Sequence, residues 1–315
     1  MNRQSTNTVV LVSPDHFGFN PETAQTNPFM HTPQSLHKNT QEIRDSAVKE
    51  FKNVVAVLKK HDVRVLILPN RKDVVTPDAV FPNNWFSHHS EGQVVVYPML
   101  TANRRLERQK DALVTLLTHA NIPVSEVIDL TSDEENGLVL EATGSMVLDR
   151  VNKVAFAMAS SRTNEVEFKK WCTLMGYEGV YIITPKYHRQ EVYHTNLLMS
   201  IGTSFAVVCL EVIEDDQVRR QVKDLIEELG KEYIEISLDQ VYNFCGNILE
   251  VQSTSGEKKI VMSEGARDAF TKEQLDRLAK HGEIVSIAIP TIEEVGGGGV
   301  RCMIAEVFAN NNERR

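Results

Sequence analysis

A run of four glycines, Gly296–Gly299, leads through Val300 and Arg301 to Cys302 and the apolar stretch MIAEVF. Glycine lets backbone approach a neighbour closely and adopt dihedrals closed to other residues. One reading of the run is a tight turn before a buried cysteine. The other places Cys302 at the start of a strand, beside exposed amides that can receive a substrate or a developing anion. A thiolate attacks planar electrophilic carbon readily; Arg301 next to it either lowers the thiol pKa or points into solvent. The other cysteines read as structural: Cys172 beside Trp171 in a helix, Cys209 ending SFAVVC, and Cys245 packed in a loop where Cys245-Gly246-Asn247 breaks a strand-like run. No close CxxC pair is present, so no structural metal is expected.

Attack on carbon also needs a proton carrier. His194 and Asn196 in HTNLLMSIG are expected on one side of an extended segment, an imidazole that titrates near neutrality beside an amide donor. Glu141 in LEATGSMVLD precedes a Gly-containing turn, either orienting a histidine or polar ligand or standing as a solvated loop carboxylate. In TPDAVFPNNWF, residues 76–86, Asp78, Asn83 and Asn84 interrupt an aromatic, Pro-rich segment. That pattern fits a turn with Asn caps or a polar pocket in an apolar wall. Arg162 in SSRTNE stands before an expected helix that Thr163 or Asn164 can cap, and its fork suits bidentate contact with a substrate carboxylate.

These residues must be positioned by regular elements, and the chain repeats one pattern. An apolar run at 9–14 reads as a strand; IRDSAVKEFKNVVAVLKK, 43–60, puts Ile43, Ala47, Val48, Phe51, Val54, Val55 and Leu58 on one helical face. Further helices are expected at 103–119, 163–175, 217–229 and 271–281. Strands following the five helices begin near 63, 124, 180 (residues 180–184), 233 and 283, at separations of 61, 56, 53 and 50 residues. Paired apolar runs lie between them, such as 138–148 with 153–159 and 197–201 with 204–210. Each unit thus reads as two strands, a helix and another strand, and five can close around an axis as an α/β propeller. A doubly wound sheet is the competitor, but no Gly-rich phosphate turn follows the first strand. Without a Pro/Ser-rich linker, residues 1–315 read as a single catalytic domain with a loop-rich N-terminal region, 15–40, in the binding surface.

Composition excludes more than it names. The 315 residues are 42% apolar and 24% charged, as an ordered globular chain requires. Thirty-four Lys and Arg against 43 Asp and Glu give a net charge of −9, which argues against a broad nucleic-acid surface. No run of 18 apolar residues and no secretory signal is visible, so neither a membrane partner nor export is expected, and a cytoplasmic location is. Oligomeric state is left open, a homodimer included.

Together PDAVFPNN, LEATGSMVLD, SSRTNE, YHTNLL and GGGGVRCM, in this order, resemble the guanidino-group-modifying superfamily of arginine deiminases, dimethylarginine dimethylaminohydrolases and arginine amidinotransferases. The resemblance spans nearly the whole chain and implies the five-unit α/β propeller called the pentein fold. It implies Cys302 as nucleophile, His194 as general acid/base and Glu141 as supporting carboxylate. Arg162 matches the arginine that receives the substrate α-carboxylate, Asp78 an aspartate near the substrate's polar end, and Asn84 the place of a guanidinium-binding aspartate. Where a dimethylarginine hydrolase-like segment reads FVED this chain reads FPNN, and where deiminases carry HxD it has His194-Thr195-Asn196. Two amides in place of two carboxylates suit a neutral ureido group better than a guanidinium. The chain also resembles the citrulline-utilising hydrolase branch, which implies citrulline hydrolysis to ornithine, carbon dioxide and ammonia with no metal or organic cofactor. The alternatives are an arginine- or dimethylarginine-directed hydrolase, an amidinotransferase, and a non-catalytic propeller that binds a partner.

Overall fold

The computed structural model describes residues 3–183 and 192–308. Its strands form five separate three-stranded sheets, each built the same way. In the third sheet, Met146–Asp149 pairs antiparallel with Val154–Met158, which pairs parallel with Glu178–Ile182 after a crossover through the helix Glu165–Met175. A parallel pair needs such a crossover, and the helix covers the face that the sheet would otherwise expose. The first sheet differs only in origin: Thr8–Val12 pairs parallel with Arg64–Leu68 and antiparallel with Ala305–Val307 from the other end of the chain. That pairing closes the ring, giving the five-bladed α/β propeller expected from the spacing.

The inner strands adjoin around the centre: Ala305–Val307 beside Phe86–His88, and Met199–Ile201 beside both Met146–Asp149 and Leu249–Gln252. Middle strands such as Val154–Met158 are buried along their whole length, whereas outer strands such as Arg64–Leu68 bury few residues. The outer helices pack by amphipathic faces. Thr40–Lys60 buries Ile43, Ala47, Phe51, Val54 and Leu58 and leaves Val48 and Val55 half-buried; Asn39 and Glu42 close its first turn as a capping box.

Three local expectations need correction. The single helix at 103–119 is two, Ala102–Arg105 and Lys110–His119, with a turn between them that faces Arg104 and Glu107 inward. The strand at 180–184 runs Glu178–Ile182, and residue 184 lies outside the described residues. Cys302 is not at a strand start: it sits in a 3-10 turn, Val300–Met303, because its N–H bonds back to Gly299 O (3.1 Å) before the strand Ala305–Val307 begins. Among the described residues no helix is long and apolar enough to cross a membrane.

Candidate active site

Each inner strand is preceded by a short turn, and these turns meet at one end of the ring. Pro82–Asn84, Ala142–Ser145, Thr195–Leu198 and Val300–Met303 are four of them, and each ends on or beside an inner strand. Residues as far as 279 positions apart in sequence are thereby brought to one cavity, lined by Thr23, Asn27, Asp78, Phe81, Asn84, Arg104, Arg162, Tyr193, His194, Gly296, Gly298 and Cys302. Glycine is required at Gly144, where a side chain would run into Asn84 Nδ2 and the His194 ring. Next to Glu141, Ala142 takes φ 42°, a strained backbone at the turn that delivers the carboxylate.

Glu141 lies behind His194. Its Oε2 is 2.8 Å from His194 Nε2 and 3.3 Å from Arg162 Nη1, and its Oε1 accepts from Leu100 N at 3.1 Å. Burial raises Glu141, but the charge of Arg162 and the hydrogen bond from His194 outweigh it and hold the carboxyl well below the usual range. An ionised carboxylate only accepts, so Nε2 carries the proton and Nδ1 is the free base of a neutral ring. Burial also brings His194 down to about 4, against the pull of Glu141.

The thiol is surrounded by amides. Asn247 Nδ2 donates to Cys302 Sγ at 3.3 Å and to Asn196 O at 3.0 Å, and Asn196 Nδ2 reaches Sγ at 3.7 Å. Burial pushes the thiol up, while donation from Asn247 and the charge of Arg301 oppose it. Burial thus works against both the thiolate and the imidazolium. Arg301 neither reaches solvent nor sets the thiol low: it is buried and pairs with Glu306 at 3.1 Å. Cys172, Cys209 and Cys245 are buried and free, each with its thiol pushed up to about 12 by burial.

The polar end of the cavity holds Asp78, Asn84, Arg104 and Arg162. Asp78 Oδ2 accepts from Asn20 and Thr23, both at 2.7 Å, while Oδ1 is buried without a partner. Arg104 is held by Glu107 through two bonds of 2.9 and 3.0 Å and donates from Nη1 to Asn84 Oδ1 at 3.0 Å. Burial pushes Glu107 up to about 7 even so. Arginine offers no acceptor, so the amide oxygen of Asn84 must face it; Asn84 Nδ2 is left buried and unpaired. Arg162 also bonds Thr26 Oγ1 at 2.8 Å and lies 4.6 Å over the Tyr193 ring, with Nε unpaired.

Of the residues singled out by sequence, Cys302, His194, Asp78, Asn84 and Arg162 line the cavity, and Glu141 backs the imidazole. Asn83 and Asn196 do not line it. In the 3-10 turn Pro82–Asn84 successive side chains diverge by about a third of a turn, so Asn83 points away when Asn84 points in. His194 and Asn196 do not share an extended segment, because His194 is the cap of the short helix Thr195–Leu198, which carries Asn196 round behind the thiol. Asn164, as expected, caps the helix after Arg162. Sequence reasoning missed Arg104, Glu107 and Asn247. Asn247 follows the Cys245-Gly246 break, a visible signal; Arg104 in ANRRLER carried none. Among the described residues no cluster of three or more His, Cys, Asp and Glu side chains could hold a metal ion.

A family model described as N,N dimethylarginine dimethylhydrolase, eukaryotic, matches residues 13–309. Among solved structures, the substrate-bound N-terminal domain of ArgZ, an arginine dihydrolase from the ornithine–ammonia cycle in cyanobacteria, is similar with a TM-score of 0.73 and 16% identity over 96% of this chain and 98% of that one. A Cys-to-Ser variant of the Pseudomonas aeruginosa dimethylarginine hydrolase (DDAH) complexed with citrulline has a TM-score of 0.67 and 16% identity over 96% and 99%. AgrE in a ternary complex with ornithine and NAD+ has a TM-score of 0.73 and 17% identity, over 97% of this chain but 40% of its own. At such identities the likeness is one of fold. No curated protein sequence matches the chain.

Proposed function

The chain belongs to the N,N dimethylarginine dimethylhydrolase family and is a hydrolase of a non-peptide C–N bond in a guanidino or ureido group, and on that premise we propose a site, a mechanism and a substrate. Cys302 is the nucleophile, His194 the proton carrier through Nδ1, and Glu141 the carboxylate that fixes the imidazole. The five units act as one catalytic domain, with Thr23 and Asn27 of the N-terminal loop in its binding wall.

The substrate is a ureido amino acid, citrulline. The observation that carries this is the buried, unpaired Asn84 Nδ2, whose orientation Arg104 dictates. A donor at that point suits the carbonyl oxygen of a ureido group and repels the N–H groups of a guanidinium. Arg162, with Arg104 beside it, supplies charge for the α-carboxylate, and Asp78 Oδ1 accepts from an N–H of the substrate. A second reading, a guanidino substrate such as arginine or dimethylarginine, is what the relatives' names support better. Within the cavity, the anionic Asp78 with its unpaired oxygen favours it.

In the lead reading Cys302 Sγ bonds to the ureido carbon while His194 takes the thiol proton and passes it to the departing Nδ. Ornithine leaves and a carbamoyl thioester remains. Water, deprotonated by His194, adds to that carbon and displaces the thiolate, which is reprotonated; the carbamate falls to ammonia and carbon dioxide. Incubation with citrulline, arginine and dimethylarginine in separate reactions, with product identification, tests this. Ornithine from citrulline supports it. Citrulline formed from arginine or dimethylarginine, with citrulline itself inert, establishes the second reading; no turnover of any of the three rejects both.

A further inference from the structure

The two segments that wall the catalytic cavity, through Asn27 and through Gly296 and Gly298, turn other residues toward a second cavity of about 290 Å³. The wall is tied together: Asn27 Nδ2 donates to Gly296 O and Gly297 O, both at 3.3 Å, and His31 N to Glu294 O at 2.7 Å. Three aromatic rings line it, with Phe29 centred 5.2 Å from Tyr242 and 5.4 Å from Phe244. Glu293 lines the same cavity, and its Oε1 is buried with no hydrogen-bond partner. Lys38 pairs with Glu294 at 3.5 Å. Gly265 presents no side chain where it faces Glu293 Oε2. Burial pushes Glu293 up to about 7 against the opposing pull of the Ser263 side chain, and the carboxylates Glu50 and Glu294 add to that rise. Neither Cys302 nor His194 reaches this space.

A carboxylate without a paired cation, lining one cavity with three aromatic rings, matches a cation carried on an apolar stem. We propose that this cavity is a second small-molecule site, separate from the catalytic one, for an organic monocation on a short alkyl chain, a primary alkylammonium or alkylguanidinium whose charge pairs with Glu293. The rings take the alkyl stem and the near face of the cation.

Ligand-observed NMR on the full chain with n-butylammonium as probe tests this without turnover. Binding is expected to wild type and to Cys302→Ala alike, and about tenfold weaker for 1-butanol, which has the same stem and no charge. Glu293→Gln weakens the probe about tenfold or more. Tyr242→Ala, at the half-exposed rim, weakens it several-fold and serves if the first variant fails to fold. Wild-type affinity in the variant that folds, absence of binding to wild type, or displacement of the probe from Cys302→Ala by saturating citrulline, whose side chain carries no charge, overturns the proposal. Because no activity is read, a failure here is distinct from a failure of the citrulline assignment.

Discussion

The molecule buries polar groups in two places along the centre of its ring, and treats them differently. Away from the thiol, a cavity lined by Gln4, Arg150, Ser200, Glu250, Arg301 and Glu306 is closed by mutual bonding. Gln4 donates to Leu148 O and Ile201 O and accepts from Arg150 N; Arg150 and Arg301 share Glu306; Ser5 and Thr203 engage Glu250. Only the hydroxyl of Ser200 lacks a partner there. In the catalytic cavity Asp78 Oδ1, Asn84 Nδ2 and Arg162 Nε are all unpaired. An unmet buried polar atom costs stability, so a cluster of them in one cavity is a binding surface held ready for a ligand, whereas satisfied polarity is architecture.

This contrast can be broken at either end. The largest effect is expected from Cys302→Ala, which should lower turnover by about 10⁴-fold or more with the melting transition retained, while Cys245→Ala, equally buried, keeps turnover near wild type. Next comes a pH signature. His194 falls from 6.5 to about 4 on folding. Between those values the unfolded chain binds a proton that the native one does not, so its contribution is full above pH 6.5 and is lost as pH falls toward 4. The loss amounts to as much as about 3 kcal/mol. Melting from pH 7 to 4 should therefore be less steep in His194→Gln than in wild type; equal slopes would remove the buried neutral imidazole from the account. Glu107→Gln frees Arg104 and hence the Asn84 amide, and should cost about 10- to 100-fold in kcat/KM for the preferred substrate. Unchanged kinetics would show that the amide needs no clamp. Smallest is Ser200→Ala on the axial side: deleting an unpaired hydroxyl should change stability by less than about 1 kcal/mol and leave kinetics alone.

The architecture was legible because it is periodic. Helix-to-strand spacing revealed five units, and the 3.6-residue pattern of Ile43, Ala47, Phe51, Val54 and Leu58 placed the first helix within three residues of its start. What escaped were features set by contacts distant in sequence. Arg104 was hidden inside an expected continuous helix, and its partner Asn84 lies 20 residues away on the turn that opens the same unit. Asn196 was assigned to the cavity because a strand would have put it beside His194; the four-residue helix Thr195–Leu198 is too short for periodicity to show. Cys302, His194 and Glu141 were singled out through their local motifs, but their convergence is a property of the ring.

The most direct test of the chemistry is to quench wild-type protein with acid during citrulline turnover and map the modified peptide by mass spectrometry. A carbamoyl group on Cys302, and none on Cys172, Cys209 or Cys245, is the result expected. A carbamoyl group on another cysteine, or rapid ornithine release by Cys302→Ala, would contradict it.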